Sequence, residues 1–412
     1  MSLCRYLPVP SDRMGIVWSL LTVKDSIVLE YGPAGTTHFS MGLYGGLGID
    51  FQQRLFTTHM SEDDVVMGDV TRLEEAIVEL DNSYNPKVIF VLASSTSSVI
   101  GTDIKGVCNY MQGEVKARLI SFEQGGLRGD YSTGVQEAYK LLVKNIARAD
   151  AGAVQPGTYN IIGASMGRYR MASDVWELQN LLSEAYGMQM QACLCSDTTV
   201  DTIAAMGSAQ LNIVISCEGL AAAKMLEEKC GTPYIYCAPY GYQGTIDFIT
   251  AVGKVIGKVP PMPMLGRLKG KLRGMSMLGM FAMMGGGRVK PAALIKGDYD
   301  QVCGVAAFLK QAGIEVRHMV CSHSLKNIDQ PVEGVAYYAD EKDWLDIFKQ
   351  ARKALVLADD VALLQCDDSN TRVRISSPFL TGSQIATHLP FMGEKGADTL
   401  LEAVELYYQN LA

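Results

Sequence analysis

Short apolar runs alternate along the chain with longer segments in which apolar residues recur at every third or fourth position. The runs that predict strands are Ser26–Tyr31, Val88–Ala93, Ala117–Phe122, Tyr159–Gly163, Met188–Cys193, Leu211–Ser216, Tyr234–Cys237, Ala292–Lys296, Val316–Val320 and Ala354–Ala358. Strands that alternate with amphipathic helices are typical of βαβ units. The pattern therefore implies parallel sheets that are buried on both faces.

One helical segment has a recognisable start. Asp174 is predicted as its N-cap, because Glu177 follows three residues later as in a capping box. The apolar positions that follow at helical spacing are Val175, Leu178, Leu181, Leu182 and Ala185. We therefore predict an amphipathic helix that begins after Asp174.

Two stretches rich in glycine, proline or methionine interrupt the alternation, at residues 151–157 and 260–287. The chain has 412 residues, which exceeds the size at which a single core keeps growing. We therefore predict three Rossmann-like doubly wound α/β domains with parallel sheets. Their predicted bounds are residues 1–155, 156–287 and 288–412.

The second interruption carries seven methionines interleaved with basic residues. Its uninterrupted apolar part, Met275–Met284, is much shorter than the roughly 20 residues that span a membrane. A methionine-rich segment can line a pocket for a large flat ligand or receive a partner, because its side chains adapt to irregular surfaces. An ordinary interdomain helix is the alternative.

Charge and motifs exclude several classes of function. A net charge of −8 argues against a general nucleic-acid binder, which needs a basic face for phosphates. The N-terminus lacks an export signal, so we expect a cytoplasmic location and ten cysteines that are free thiols or metal ligands. The sequence contains no Cys-x-x-Cys pair, so we expect no self-contained zinc or ferredoxin-type site. It also contains no phosphate-binding loop motif, so we do not expect this chain to hydrolyse ATP.

The loop after the first predicted strand, Gly32-Pro-Ala-Gly35, allows close approach of the backbone to another group. Loops at the carboxyl ends of strands in open α/β sheets commonly face a ligand or a partner. Taken alone, the tetrapeptide also fits an ordinary strand-to-helix turn. The tracts that follow it along the chain decide between these interpretations.

Several tracts together resemble component 1 of nitrogenase in order and spacing. They are Glu30–Phe39, Thr57–Gly68, Ser94–Ile104, Gly125–Gly129, Leu226–Pro233 and His388–Ala397. The likeness extends over nearly the whole chain. It implies three Rossmann-like domains around a central interdomain cavity, in which a substrate or cofactor would lie.

The resemblance also implies an iron–sulfur cluster at a subunit interface, to which each subunit commonly offers three cysteines. Cys4 lies upstream of the first tract, where the first such cysteine is found, but Thr36 and Ser95 stand at the other two positions. Hydroxyl groups are poor ligands for such clusters. Any interface cluster would therefore be shared with a partner chain; alternatively, Cys4 is an N-terminal cysteine without a metal.

Two further positions resemble ligands of the active cofactor in that family, namely Cys217 and His388. A thiolate and an imidazole from different domains suit an iron-rich metallocluster. Other cavity candidates are Cys195, which shares a strand face with Cys193, and His38, which could donate a proton or be a structural histidine. Arg128 is a candidate contact for an anion or for a tetrapyrrole carboxylate.

The function that the resemblance implies is the electron-accepting half of an ATP-dependent two-component reductase. A separate iron protein would use ATP and pass electrons to this chain, which would pair with a paralogous component 1 subunit or with itself. Two alternatives remain open at this point: a scaffold for metallocluster assembly, and a redox-silent structural partner of a cluster-bearing paralogue. The substrate cannot be identified from the sequence.

Overall fold

A computed structural model of the chain describes residues 4–35, 37, 53–123, 125–284, 290–378 and 389–411, with only the backbone of 281–284. The strands in this part of the chain form three separate parallel sheets, one after another in sequence. All of the strand pairings within them are parallel. This arrangement confirms the predicted fold class.

The first sheet has the order β2-β1-β3-β4. Its strands are β1 (Ser26–Tyr31), β2 (Leu55–Thr57), β3 (Val88–Ala93) and β4 (Arg118–Phe122). The surrounding helices are α1 (Asp12–Leu20), α2 (Glu62–Met67), α3 (Thr71–Tyr84), α4 (Ser95–Val99), α5 (Ile104–Met111) and α6 (Tyr131–Asn145). Both central strands, β1 and β3, are buried along their whole length because helices cover both faces of the sheet.

The second sheet has the order β6-β5-β7-β8. Its strands are β5 (Gln155–Ile162), β6 (Gln189–Leu194), β7 (Ala209–Val214) and β8 (Tyr234–Tyr236). The helices that follow along the chain are α7 (Met171–Tyr186), α8 (Val200–Ala204), α9 (Leu220–Cys230), α10 (Gly241–Ile256) and α11 (Met262–Met284).

The third sheet has the order β11-β10-β9-β12-β13. Its strands are β9 (Ala292–Gly297), β10 (Glu315–Cys321), β11 (Val335–Tyr337), β12 (Leu355–Ala358) and β13 (Thr371–Arg374). The helices are α12 (Tyr299–Gln311), α13 (Glu341–Gln350), α14 (Asp360–Gln365) and α15 (Gly393–Leu411). Each sheet with its helices forms one unit, and the three units follow one another along the chain. The apolar interior is continuous between them: one buried cluster joins the first and second units, and another joins the second and third.

Every strand predicted from the sequence is present, although several boundaries shift by a few residues. The strands that the pattern did not predict are β2, β11 and β13, which are three or four residues long and lie at the edges of their sheets. The predicted N-cap is wrong. Helix α7 begins at Met171, and Asp174 lies inside its first turn, where its carboxylate accepts hydrogen bonds from the backbone N–H groups of Phe391 at 2.6 Å and Met392 at 2.9 Å.

The methionine-rich segment forms helix α11, which packs against α10, α12 and α15 on the outside of the second and third units. Met264, Leu268 and Met275 face that contact and are buried, whereas Met262 and Met277 face solvent. Among the helices that the structure describes, none is long and apolar enough to cross a membrane.

Candidate functional site

The candidate site begins at the topological switch point of the second sheet. The chain continues from β5 to one edge of the sheet and from β7 to the other, so the loops after these neighbouring strands diverge and leave a crevice. Gly163, with φ of +102°, lies so close to the second loop that a Cβ atom there would be 2.4 Å from Ser216 Oγ. Glycine is therefore required for the two loops to meet, and Cys217 follows directly in the second loop.

Three possible metal ligands converge beside this crevice. Cys217 and Glu218 lie in a 3₁₀ turn after β7, and His323 lies in the loop after β10 of the third sheet. One ligand atom from each side chain can be chosen so that all three lie within 4.8 Å of one another. Glu218 and His323 are buried and Cys217 is half-buried. The site therefore combines side chains from two domains.

The hydrogen bonds of His323 fix its tautomer. The backbone N–H of Tyr299 donates to Nε2 at 3.2 Å, and Nδ1 lies 3.1 Å from the carbonyl oxygen of Ser324. Burial lowers the pKa of His323, but Cys321 together with the carboxylates of Glu218 and Asp298 raises it to about 10, which would favour the imidazolium. The hydrogen bond from Tyr299 and the raised pKa therefore favour different protonation states of the ring. An N–H group cannot donate to a protonated nitrogen, so the geometry favours a neutral ring with its proton on Nδ1 and a lone pair on Nε2.

Arg168 joins the site to the third sheet. This residue lies in the loop after β5, and its guanidinium NH2 is 2.8 Å from Glu218 Oε2 while its Nε is 3.3 Å from Asp298 Oδ2. All three side chains are nearly or fully buried. The NH1 nitrogen of Arg168 is buried and has no hydrogen-bond partner among the described residues.

The first unit contributes the start of α6. Tyr131 donates its hydroxyl hydrogen to Asp298, and Ser132 donates to Glu218 Oε1 at 3.0 Å. Residues from all three units thus form one buried polar network around Arg168. The network satisfies charges that would be costly to bury alone.

Asp300 supports the turn that carries Cys217. Its Oδ2 accepts the backbone N–H of Cys217 at 2.8 Å, and its Oδ1 accepts the hydroxyl of Tyr236 at 2.5 Å. Asp300 lies at the start of α12, so the third unit holds the backbone of the second unit in place.

Electrostatics set the charge of each group. Burial raises the pKa of the Cys217 thiol, and the nearby Glu218 and Asp300 raise it further. Burial alone would also raise the pKa of Glu218, but the Arg168 guanidinium outweighs it and the pKa falls to about 2. At neutral pH the site therefore holds a neutral thiol beside an ionised carboxylate that is paired with arginine.

The space beside these groups is small. A cavity of about 10 Å³, lined partly by Cys217, Glu218 and His323, has room for roughly one water molecule. Helix α11 does not fill this space, because it packs on the outside of the second and third units.

The other sequence candidates lie elsewhere. Cys195 is fully buried in the apolar cluster between the first two units, and Arg128 is exposed on the loop after β4. Cys4 is exposed and its Sγ lies 3.5 Å from Glu341 Oε1 in the third unit. His38, Thr36 and His388 lie outside the described residues.

Ser95 has a structural role in the loops of the first unit. Its hydroxyl donates to the carbonyl oxygen of Gly125 at 2.6 Å, which ties the loop after β3 to the loop after β4. The loop after β1 also lies close to this region, because a Cβ atom on Gly32 would lie 2.4 Å from Ser94 Cβ.

Arg168, Glu218 and His323 were not predicted from the sequence. Each follows a predicted strand by only a few residues, and that position was the available signal. Periodicity does not show which strand ends of different sheets meet, so it could not pair His323 with Cys217.

Comparison with known proteins decides the family. The model of the family described as nitrogenase component 1 type oxidoreductase matches residues 11–405. The chain belongs to that family. Its fold agrees with that of the nitrogenase structure titled "Nitrogenase Cp1 at pH 6.5", with a TM-score of 0.78, 18% identity, and coverage of 100% of this chain and 94% of the other.

Three similar proteins align with the chain as follows. The nitrogenase iron-molybdenum cofactor biosynthesis protein NifE of Methanosarcina barkeri is 26% identical over 384 residues, covering 85% of this chain and 81% of its own length. NifE of Clostridium pasteurianum is 30% identical and covers 57% of this chain. The nitrogenase molybdenum-iron protein alpha chain of the same organism is 27% identical and covers 56%. In the two Clostridium proteins the match spans about half of the relative's length, 51% and 44%.

Proposed function

We propose that this chain is a scaffold subunit that holds a maturing iron-containing metallocluster where its domains meet, with Cys217 and His323 as the anchoring side chains. The observation that carries the proposal is the convergence of a thiol, a carboxylate and an imidazole within 4.8 Å at the crevice of the second sheet. Thiolate and imidazole are ligands that suit iron. The alignments with proteins named for cofactor biosynthesis support the same function.

His323 is suited to this role by its second nitrogen. A histidine that binds metal through Nε2 commonly donates Nδ1–H to a backbone carbonyl, which fixes the ring and its tautomer. The Ser324 carbonyl, 3.1 Å from Nδ1, meets that requirement. Cargo would replace the Tyr299 N–H at Nε2, and the cavity of about 10 Å³ would have to widen to admit it.

Two anchors are fewer than the roughly four ligands by which proteins hold a permanent iron–sulfur cluster. Few anchors suit a scaffold, because its cargo has to leave. The positive charge of Arg168 favours an anionic cargo. An iron–sulfur cluster with thiolate ligands carries net negative charge and would be attracted, whereas a free divalent cation would be repelled. Since burial raises the pKa of Cys217, binding of cargo would release the thiol proton.

The test is anaerobic loading of the full-length protein with a synthetic [4Fe–4S] cluster that carries small thiolate ligands. Iron and sulfide are measured after gel filtration for the wild type, Cys217→Ala and His323→Ala. Cys230→Ala is the matched control, because it removes a half-buried thiol of the same unit whose Sγ donates to the Arg148 carbonyl oxygen at 3.4 Å, away from the candidate site. We expect Cys217→Ala to lose most of the retained iron and Cys230→Ala to keep it.

Retention by Cys217→Ala and His323→Ala at the wild-type level would show that the anchors are wrong. No retention by any protein, including the wild type, would instead favour the redox-silent structural partner. Circular dichroism of each variant excludes a loss of fold as the cause.

The electron-accepting subunit of a two-component reductase is the second candidate, which family membership favours. Under this hypothesis a separate iron protein would deliver electrons with ATP, and a paralogous component 1 subunit or a second copy would complete an interface cluster with Cys4. ATP-dependent reduction of the loaded cluster by such an iron protein, detected as a change in the absorption spectrum of the cluster, would favour this candidate over the scaffold. A spectrum that the iron protein leaves unchanged would favour the scaffold.

A further inference from the structure

The connection between β10 and β11 covers the candidate site. Its part that follows His323, residues 324–334, forms turns and bends without a helix or strand and is called the lid below. Ser324, Asn327 and Ile328 of the lid line the small cavity beside Cys217, and the start of α6 lines it too. The cavity is therefore enclosed between α6 of the first unit, the turn of Cys217 and the lid.

The lid buries little of its own surface. Lys326, Asn327 and all of residues 329–334 are exposed. A segment with few buried apolar contacts opens locally at a small cost in free energy. Long connections without a helix or strand are often lids over binding or active sites. The lid is therefore able to move without unfolding the third unit.

Two hydrogen bonds hold the lid against the first unit. The backbone N–H of Ser324 donates to Asp130 Oδ2 at 2.6 Å, and the Asn327 amide donates to Thr133 Oγ1 at 3.4 Å. Asp130 is also the N-cap of α6, where its Oδ1 accepts the backbone N–H of Thr133 at 3.4 Å. A bond to a carboxylate is stronger than one between neutral groups, so the bond from Ser324 is the main contact that keeps the lid closed on α6.

A third hydrogen bond holds the far end of the lid to its own unit. The backbone N–H of Val332 donates to the hydroxyl oxygen of Tyr299 at 3.0 Å. Tyr299 is the first residue of α12, and its backbone N–H is the group that donates to Nε2 of His323. The same residue thus contacts both the lid and one of the proposed anchors.

We propose that cargo reaches Cys217 and His323 through the gap between α6 and the lid, and that the lid opens by breaking its bond to Asp130. The inference rests on the proposed function, because it names the route by which that cargo enters. A cavity of about 10 Å³ admits roughly one water molecule, so a covering segment has to move. The lid is the segment suited to move, because α6 and the turn of Cys217 belong to the buried network around Arg168.

The test measures alkylation of Cys217 by iodoacetamide in the full-length, metal-free protein, with mass spectrometry to identify the modified cysteine. In the wild type we expect Cys217 to react much more slowly than the exposed Cys4. Asp130→Asn should raise the rate at Cys217 about tenfold, the effect of losing one charge-assisted hydrogen bond. A single amide oxygen cannot accept the N–H groups of both Ser324 and Thr133, while asparagine remains a good N-cap for α6.

Asp103→Asn is the matched control. Asp103 is the N-cap of α5 in the same unit, where its carboxylate accepts the Gly106 N–H at 2.8 Å, and it is not among the residues that line the cavity. This variant should keep the rate at Cys217 within about twofold of the wild type. Cys230, a half-buried thiol of the second unit, is the reference within each protein, and its rate should stay within about twofold in every variant.

A second substitution loosens the other end of the lid. Tyr299→Phe removes the acceptor of the Val332 N–H and should also raise the rate at Cys217. The increase should be smaller than in Asp130→Asn, because the lost bond joins neutral groups. Tyr408→Phe is the control, because the Tyr408 hydroxyl donates to a backbone carbonyl at 2.7 Å elsewhere in the third unit.

Equal rates at Cys217 in Asp130→Asn and the wild type would overturn the proposal. An equal rise at Cys230 would do the same, because it would report a general loosening of the fold. A wild-type Cys217 that reacts as fast as Cys4 would show that no lid covers it.

Alkylation needs no metal, so its result is separate from the loading experiment. Uptake of the synthetic [4Fe–4S] cluster should be faster in Asp130→Asn than in the wild type. If the cluster is retained but Asp130→Asn changes neither the alkylation of Cys217 nor the uptake, the lid is wrong and the scaffold stands. If no protein retains the cluster while Asp130→Asn speeds alkylation, the lid stands and the proposed cargo is wrong.

Discussion

Arg168 and Glu218 form a buried ion pair across the crevice of the second sheet, with NH2 of the arginine 2.8 Å from Oε2 of the glutamate. The same guanidinium reaches Asp298 of the third sheet at 3.3 Å. One guanidinium thus pairs with carboxylates from two units, while Ser132 of the first unit donates to Glu218. The position of Cys217 depends on this network, because Cys217 adjoins Glu218 in the turn.

The first prediction concerns the removal of that arginine. Arg168→Met leaves Glu218 and Asp298 buried without their counter-ion, so we expect the free energy of unfolding to fall by about 3–5 kcal/mol. Arg352→Met is the control: its pair with Asp367 is exposed, at 55% and 36% of the side-chain surfaces, and should cost less than about 1 kcal/mol. Urea denaturation measures both.

A second substitution separates the effect of charge from the effect of packing around Arg168. Adding Glu218→Gln to Arg168→Met removes one of the uncompensated charges, so the double variant should recover part of the lost stability. If Arg168→Met and Arg352→Met destabilise the protein equally, the buried network does not have the role assigned to it.

The sequence predicted the fold well because the central strands are long, apolar and separated by helices of regular period. Strands β2, β11 and β13 were missed because three or four residues at a sheet edge carry too little periodicity. Asp174 was misread for a chemical reason: an aspartate carboxylate accepts N–H groups equally well from its own helix or from another segment, here from Phe391 and Met392.

Of the residues at the candidate site, the sequence singled out only Cys217, through the resemblance, and its role there stays a prediction. His323 and Arg168 became visible only in the structure, where the second and third sheets pack together. Packing between sheets is set by the shapes of whole surfaces, which a linear pattern does not record. The candidate that the sequence paired with Cys217, His388, lies outside the described residues and stays a prediction.

The second prediction is a pH dependence caused by Asp174. Burial raises the pKa of this carboxyl to about 7 although two backbone N–H groups bond to it. A folded-state pKa above the unfolded value means that the folded protein binds the proton more tightly. The contribution of Asp174 to stability is therefore highest at low pH and falls as pH rises from about 4, where Asp174 ionises in the unfolded state, to about 7, where it ionises in the folded state.

Asp174→Asn removes this titration, while its amide oxygen can still accept both N–H groups. We expect the stability of the variant to rise relative to the wild type by up to about 1.4 kcal/mol per pH unit between these limits. Urea denaturation at pH 5, 6, 7 and 8 measures the difference. A difference that stays constant over this range would contradict the raised pKa.

The third prediction tests the contact between α1 and α6. A Cβ atom on Gly134 would lie 1.8 Å from the backbone oxygen of Asp12, which leaves no room for a side chain. Gly134→Ala must separate the two helices, so we expect a loss of about 1–3 kcal/mol or more. Gly113→Ala is the control, because nothing lies within 4 Å of its added Cβ atom. Equal midpoints for the two variants in urea would show that the helices are not in close contact in solution.

The last prediction concerns assembly through the first unit. Val99 is 73% exposed after β3 and Leu127 is 63% exposed after β4, so two large apolar side chains face solvent at one edge of the sheet. Apolar side chains grouped in this way mark association surfaces. The loops that carry them are tied together by the bond from Ser95 to Gly125 and therefore present a fixed surface.

We expect the protein, alone or with a paralogous component 1 subunit, to form a dimer or larger assembly that Val99→Glu and Leu127→Glu together dissociate. Val259→Glu is the matched control, because Val259 is 83% exposed but lies between α10 and α11, far along the chain in the second unit. Light scattering at micromolar concentration measures the mass of each protein. If the double variant keeps the wild-type mass, or if Val259→Glu dissociates the assembly equally, the subunits associate through another surface; a wild type that stays monomeric even with the paralogue present would rule out the assembly itself.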